Sequence, residues 1–270
     1  EFTAVAQAWL DSMNDAKTSK DAAEAFKAIL APIAEAGCPD AKAILENAEY
    51  LTKKSFWIFG GDGWAYDIGY GGLDHVLASG RDVNVFVFDT EVYSNTGGQA
   101  SKASNIGQVA QFAAAGKETK KKSLAEIAIS YGYVYVAQVA MGAKPAQTLK
   151  AIQEAEAYPG PSLIIGYSPC EMHSIKGGMV NCQAEMKRAV DCGYWNLFRF
   201  NPQAQTGGKF MLDSKEPAGG YQEFLMNEAR YSRLTREFPD RAEELFAKNE
   251  KAAMDRYDHL LKLKEMYSEL

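Results

Sequence analysis

Short β-type runs that alternate with helical stretches constrain this chain more than any other feature of its sequence. Four such runs, rich in apolar β-branched and aromatic residues, lie at 56–59, 83–88, 133–137 and 163–165. Helical patterns separate or follow them at 66–79, 123–131, 145–157 and 178–192. Strands and helices in alternation are typical of a parallel sheet that is covered by helices. The sequence therefore predicts an α/β fold in which a parallel sheet carries helices on both faces.

The two ends of the chain differ from this central pattern. Residues 1–50 have apolar residues at helical spacing, and we expect a helical segment that continues an upstream part of the same domain. The α/β domain itself is predicted to span 51–201. Residues 202–270 begin with an irregular connection that is rich in glycine and proline, and they end in charged helices.

Composition argues against several classes of protein. With 29 basic and 35 acidic side chains, the 270-residue chain carries a net charge of −6, which argues against nucleic acid as a partner. No apolar run approaches the ~20 residues of a membrane-spanning helix. Four cysteines in a chain of this length indicate a reducing compartment, and we expect the cytoplasm. The three lysines at 120–122 are interpreted as part of a solvated surface.

The loops that follow the four predicted strands hold the unusual residues. A glycine-rich loop around Asp62 follows the first strand, and a polar loop at 89–99 follows the second. Shorter loops at 141–144 and 168–174 follow the third and fourth strands. Parallel sheets bind their ligands beyond the carboxyl ends of the strands. The edge of the sheet where these loops meet is therefore predicted to be the functional site.

The first loop has the chemistry of a metal–diphosphate site. Gly61 and Gly63 allow backbone N–H groups to approach a phosphate, whereas the Asp62 carboxylate would repel it unless a cation lies between them. Mg²⁺ suits this place because it joins protein oxygens to phosphate oxygens. An ordinary turn after a strand is the alternative interpretation. Twenty-six residues, 64–89, separate this loop from Thr90, and the spacing resembles that of thiamine diphosphate enzymes.

Two longer motifs make the resemblance specific. GDGWAYDIGYGGLDH at 61–75 and DTEVYSNTGGQ at 89–99 resemble the thiamine diphosphate domain of the pyruvate:ferredoxin (flavodoxin) oxidoreductases. Most thiamine diphosphate enzymes have Asn at the metal-binding position of the second motif. This family has Thr there instead, and Thr90 of the present sequence resembles it in this respect. The resemblance extends from about residue 50 to the end of the chain.

The resemblance implies a set of cofactor-binding residues. Asp62, the Thr90 hydroxyl and the Val92 carbonyl would bind Mg²⁺, and Gly61 and Gly63 would face the diphosphate. The cofactor would be thiamine diphosphate.

The resemblance also implies which residues would lie near the reacting groups. Asn95 would be a catalytic residue beside the thiazolium and the 2-oxo acid, and Trp64 would pack either on the cofactor or in an aromatic core. Cys170 would be one ligand of a [4Fe–4S] cluster, for which thiolate is the usual ligand. His173 either tunes this cluster or packs in the core, and no role is assigned to Glu91.

The activity that the resemblance implies is the oxidative decarboxylation of pyruvate, with coenzyme A, to acetyl-CoA and CO₂. Electrons would pass through [4Fe–4S] clusters to ferredoxin or flavodoxin. The enzyme would be a homodimer in the cytoplasm or, in a eukaryote, in an anaerobic organelle.

Both sites would be incomplete in this chain alone. A cubane cluster normally takes four thiolates, yet the cysteines at 38, 170, 182 and 192 include no Cys-x-x-Cys pair. The sequence as given also begins with Glu1 rather than with methionine. We therefore expect the C-terminal portion of a longer enzyme, whose upstream domains complete the sites. A separate subunit of a split enzyme is the alternative.

Two other functions stay open at this point. One is an inactive or structural module that keeps the fold without the activity. The other is a phosphatase-like hydrolase in which Asp89, at the end of the second strand, is the nucleophile. That chemistry uses a second Asp two residues later, and this chain has Glu91 there.

Overall fold

The computed structural model describes residues 2–206 and 208–268. The chain divides into two compact units, of which the first ends at Phe56 and the second begins at Trp57. The first unit is helical, as predicted, and its helices are α1 (Phe2–Ser12), α2 (Ser19–Glu35) and α3 (Pro39–Glu46). Its own small core contains Phe26 of α2, whose ring stacks on Trp9 at 5.2 Å between centroids.

The second unit is built on a six-stranded sheet. The four predicted strands are confirmed as β1 (Trp57–Gly61), β2 (Asn84–Asp89), β3 (Tyr135–Val139) and β4 (Ser162–Tyr167). Their order is β1-β2-β4-β3, and all neighbouring pairs among them are parallel. Gly61 pairs with Phe88, and Asp89 pairs with Tyr167, so the carboxyl ends of three strands lie side by side.

Two short antiparallel strands were not predicted, so the sheet is mixed rather than purely parallel. Strands β5 (Phe198–Phe200) and β6 (Phe210–Leu212) extend the sheet beyond β3. Each has only three residues, which is too short for an apolar pattern to distinguish a strand from a buried loop.

Helices cover both faces of the sheet, as predicted. The helices of the second unit are α4 (Tyr70–Ala78), α5 (Leu124–Ile129), α6 (Pro145–Ala157), α7 (Cys182–Asp191), α8 (Tyr221–Met226), α9 (Ala229–Ser232), α10 (Leu234–Glu237) and α11 (Pro239–Met266). On one face, Ala151 and Ala155 of α6 pack with Tyr135 and Ile164. The opposite face carries the larger core, to which α4, α5, α7, α8 and α11 contribute.

The C-terminal stretch is more interrupted than its pattern predicted. Pro239 stands at the first turn of α11, where a missing N–H has no cost. The shorter helices α8, α9 and α10 precede it. Within the described ranges, no helix has both the length and the apolar character to span a membrane.

Candidate functional site

A cleft of about 450 Å³ lies at the carboxyl ends of β1 and β2. It is lined by every site residue that the sequence predicted in the first two loops, namely Gly61, Asp62, Gly63, Trp64, Thr90, Val92 and Asn95. Its apolar wall includes Phe59 and Phe88, which are 62% and 44% exposed near the ends of the two strands. The sequence therefore predicted which residues meet here, although they come from two separate loops.

Three oxygen-bearing groups converge on one side of this cleft. The Thr90 hydroxyl lies 2.7 Å from Asp62 Oδ1 and 2.9 Å from the Val92 carbonyl oxygen. The second carboxylate oxygen of Asp62 accepts a hydrogen bond of 2.7 Å from the Ser101 hydroxyl. Asp62 is only 1% exposed, yet it forms no ion pair with any described residue. Burial raises the pKa of Asp62, although the hydrogen bonds from Thr90 and Ser101 oppose this rise.

These oxygens suit a small divalent cation. Buried carboxylates are normally paired with a cation or bound to a metal. In an octahedral Mg²⁺ site with bonds of about 2.1 Å, neighbouring ligand oxygens lie about 3 Å apart. The separations along Asp62, Thr90 and Val92 are close to that value. No group of three or more His, Cys, Asp or Glu side chains in the described ranges could hold a metal, so any cation here relies on hydroxyl and carbonyl oxygens as well.

The glycines of the first loop serve two different purposes. The chain leaves β1 through one wide helical turn, Gly63–Ile68, which follows Asp62 directly. A Cβ atom on Gly63 would lie 2.5 Å from the Tyr93 ring, and one on Gly60 would lie 2.2 Å from the Trp64 ring. A Cβ atom on Gly61 would have only the Phe88 carbonyl near it, at 4.0 Å. Gly63 is therefore required by packing, whereas Gly61 leaves its backbone open to the cleft.

Cys170 lies beside the cleft, in the loop that follows β4. The Ser94 hydroxyl is 3.3 Å from Cys170 Sγ and 3.0 Å from the Thr90 hydroxyl oxygen, so one side chain links the thiol to the oxygen cluster. The backbone N–H of Met172 also donates to this sulfur, at 3.3 Å. The described residues bring no other cysteine into a metal-binding group with Cys170.

Behind the cleft lies a layer of buried charges that the sequence did not reveal. Asp89 and Glu91 have no exposed surface. Lys121 Nζ lies between them, 2.8 Å from Asp89 and 3.0 Å from Glu91, and Arg230 lies 2.7 Å from the far oxygen of Glu91. The interpretation of Lys121 as a solvated residue was therefore wrong, because the chain at 90–123 folds back over the strand ends. A single lysine in a basic run gives no pattern from which its burial can be read.

The surroundings of the two buried carboxylates differ in charge. Burial raises the pKa of Asp89, and the nearby charges of Asp62 and Glu91 raise it further against the effect of Lys121. Burial would also raise the pKa of Glu91, but Lys121 and Arg230 outweigh it and lower this pKa to about 2. Asp89 also accepts a hydrogen bond of 2.7 Å from the Tyr66 hydroxyl. A nucleophile must reach its substrate, and the enclosure of Asp89 therefore weighs against the hydrolase.

Comparison with known proteins identifies relatives of this chain. Residues 41–165 match the family described as thiamine pyrophosphate enzyme, C-terminal TPP binding domain. Over 98% of this chain, the sequence is 54% identical to the pyruvate:ferredoxin oxidoreductase of Moorella thermoacetica. It is 51% identical over 95% of the chain to the pyruvate-flavodoxin oxidoreductase of Klebsiella pneumoniae. The chain is therefore related to one portion of each of these longer enzymes.

The relationship confirms the resemblance that the two motifs indicated. The chain spans less than a quarter of each relative, 23% of the Moorella enzyme and 22% of the Klebsiella enzyme. A solved 2-oxoglutarate:ferredoxin oxidoreductase from Magnetococcus marinus is 27% identical, with a TM-score of 0.40 over 42% of this chain and 38% of its own.

Proposed function

We propose that this chain holds the Mg²⁺–diphosphate end of thiamine diphosphate in a pyruvate:ferredoxin or pyruvate-flavodoxin oxidoreductase. One observation carries the proposal. The buried Asp62 carboxylate has hydrogen bonds but no cationic partner among the described residues, and the Thr90 hydroxyl and Val92 carbonyl stand beside it. A divalent cation would supply the missing positive charge and would attract a diphosphate to the adjoining glycine loop.

Each cleft residue then has a task in binding. Asp62, Thr90 and Val92 would hold Mg²⁺, and the backbone N–H groups of Gly61 and Gly63 would face the diphosphate. Trp64 packs over Gly60 and fixes the wall of the cleft beneath the cofactor. When bound, thiamine diphosphate supplies the electron sink that decarboxylation of a 2-oxo acid requires.

Asn95 is our candidate for contact with the substrate. It lies exposed on the rim of the cleft, and its side-chain amide has no hydrogen-bond partner among the described residues. An amide offers both a donor and an acceptor, so it can orient the carbonyl and carboxylate groups of pyruvate beside the cofactor. We propose it as the catalytic residue that this chain contributes.

Cys170 would provide one thiolate to a [4Fe–4S] cluster, while the other three come from outside this chain. Its place beside Ser94 and Thr90 supports this role, because a cluster there would lie close to the cofactor that delivers electrons. The partners of this chain would be coenzyme A, ferredoxin or flavodoxin, and the upstream domains of the same enzyme. We propose a homodimer in the cytoplasm or, in a eukaryote, in an anaerobic organelle.

The proposal is tested by the composition of the intact enzyme. Purification without oxygen should yield about one thiamine diphosphate and at least about four irons per copy of this chain, since one cubane holds four irons. Thiamine diphosphate without iron would remove the role of Cys170 and indicate another kind of thiamine enzyme. The absence of both would favour an inactive module of the same fold.

A further inference from the structure

The residue between two proposed metal ligands has an unusual backbone. Glu91 lies between Thr90 and Val92, and its φ of 57° is in the left-handed region. Residues with side chains avoid this region because Cβ crowds the backbone. The turn has a direct effect here, since it brings the Thr90 hydroxyl within 2.9 Å of the Val92 carbonyl oxygen. An extended Glu91 would point these two oxygens in different directions.

Contacts to the backbone of Glu91 fix this turn in part. Its N–H donates to Asp89 Oδ1 at 3.1 Å. Its carbonyl oxygen accepts hydrogen bonds from the side chains of Ser104 and Gln108, at 2.5 and 3.0 Å. Backbone polar groups this deeply buried need such partners, and here the end of β2 and the loop at 90–123 supply them.

The side chain of Glu91 is held by a residue far along the chain. Arg230 Nη1 lies 2.7 Å from Glu91 Oε2, and the Tyr194 hydroxyl donates to the same oxygen. Arg230 belongs to the four-residue helix α9, 139 residues after Glu91. Both members of the pair are buried.

The guanidinium of Arg230 is itself fixed on every side. Its Nε donates to Glu228 at 2.6 Å, and its Nη2 donates to the hydroxyls of Tyr167 and Tyr194, both at 3.2 Å. A planar fork with five donors can serve all these acceptors together, whereas a lysine ammonium cannot. Arg230 therefore joins β4, the polar loop and the C-terminal helices in one rigid arrangement.

A second contact ties the same arrangement to the metal loop. His173, in the turn after Cys170, lies with Nε2 2.8 Å from the Thr90 carbonyl oxygen. Its Nδ1 lies 3.5 Å from Glu228, the carboxylate that also receives Arg230. His173 therefore lies between the Thr90 backbone and this carboxylate, although its Nδ1 makes no hydrogen bond among the described residues.

We propose that Arg230 is a positioning residue for the divalent cation. Through Glu91 it holds the left-handed turn that directs the Thr90 hydroxyl and the Val92 carbonyl toward Asp62. This inference rests on the proposed function, because it takes these three groups as the cation ligands. Arg230 does not line the cleft and would touch neither cofactor nor substrate.

The test is a Mg²⁺ titration of the intact enzyme, stripped of metal and supplied with excess thiamine diphosphate. Arg230→Met should raise the Kd for Mg²⁺ by about tenfold or more, as is usual when residues behind a metal ligand are altered. Arg233→Met is the matched control, because Arg233 is half exposed and its one ion pair among the described residues, with Glu237, is on the surface. An unchanged Kd in folded Arg230→Met would overturn the inference.

Two further variants keep the test decisive if Arg230→Met does not fold. Glu91→Gln preserves the size of the side chain but loses the charge that Arg230 holds, and Tyr194→Phe removes one hydrogen bond to Glu91. Both should weaken Mg²⁺ binding, Glu91→Gln by more, and unchanged affinity in both would also overturn the inference. Asp62→Ala separates the two proposals: if it leaves Mg²⁺ affinity intact, the proposed cation site is wrong whatever Arg230 does.

Discussion

Buried carboxylates at the ends of two neighbouring strands are neutralised in opposite ways: Asp62 directly follows β1, whereas the inner set, Asp89 and Glu91, lies at the end of β2. Asp89 and Glu91 share Lys121, and Glu91 also has Arg230, so the inner set has its counter-charges within the chain. Asp62 has hydrogen bonds from Thr90 and Ser101 and no ion pair with a described residue, although the charge of Lys121 also lowers its pKa. The inner set is complete by itself, whereas Asp62 is arranged for a cation that comes from outside. The same edge of the sheet thus provides both a rigid support and a binding site.

The largest expected effect comes from removing the carboxylate that lacks a cation. Asp62→Ala in the intact enzyme should abolish the Mg²⁺-dependent retention of thiamine diphosphate, because the charged ligand of the metal is lost. Cofactor that remains with the protein after gel filtration in Mg²⁺ measures this. Asp62→Asn is the matched control for size, and it should lose nearly as much. Retention at the native level in both variants would contradict the Mg²⁺ assignment.

Removal of the positive charge of Lys121 should lower the stability of the fold rather than cofactor binding. Lys121→Met would leave Asp89 buried without a cationic partner, and breaking such a buried pair costs about 3–5 kcal/mol. The thermal unfolding midpoint of the intact enzyme should fall clearly in calorimetry.

Lys120→Met provides the control for this experiment, since the neighbouring Lys120 is exposed. Surface changes of that kind usually stay within about 0.5 kcal/mol. If the two lysine variants unfold at the same temperature, Lys121 does not support the inner set as described.

Substitution of the two loop glycines should likewise distinguish a requirement for packing from a requirement for cofactor binding. Gly63→Ala places a methyl group 2.5 Å from the Tyr93 ring, so it should destabilise the fold by about 1–3 kcal/mol. Gly61→Ala meets no atom closer than 4.0 Å, and it should keep the stability while it weakens diphosphate binding. Calorimetry and a cofactor titration on both variants measure the two effects. Equal loss of stability would show that Gly61 is also required by packing.

The smallest expected effect concerns the reactivity of two cysteine thiols that differ in burial. Burial raises the pKa of Cys192 to about 12, so only about one thiol in ten thousand is ionised at pH 8. Its peptide should stay unlabelled by iodoacetamide in the native enzyme and become labelled after unfolding, as read by mass spectrometry. Cys182, which is half-buried at the start of α7, is the internal comparison and should react first. Rapid native labelling of Cys192 would contradict its enclosure.

Local patterns predicted the parts of the molecule that local chemistry determines. Helix α6 begins and ends at the predicted residues, because Pro145 suits the first helical position and an apolar face repeats up to Ala157. The four longer strands and the residues of the cleft were likewise predicted, since each follows a recognisable strand end.

The rest depends on contacts between distant parts of the chain. Glu91 and Arg230 are 139 residues apart, and neither has a neighbour in sequence that indicates a buried pair. The left-handed backbone of Glu91 is equally hidden, because glycine or asparagine would be the expected residue there. Strand β5 pairs with β3 and β6 pairs with β5, so these three-residue strands depend on distant partners and carry no signal of their own.

The distance between Glu91 and Arg230 also has a consequence for synthesis on the ribosome. At about 5–20 residues per second, Arg230 follows Glu91 by roughly 7–28 s. Throughout that interval the nascent polar loop lacks the guanidinium that neutralises its buried carboxylate. The cation site would therefore mature only after α9 has been synthesised, and a chain truncated before α9 would have the cleft residues present but their support missing.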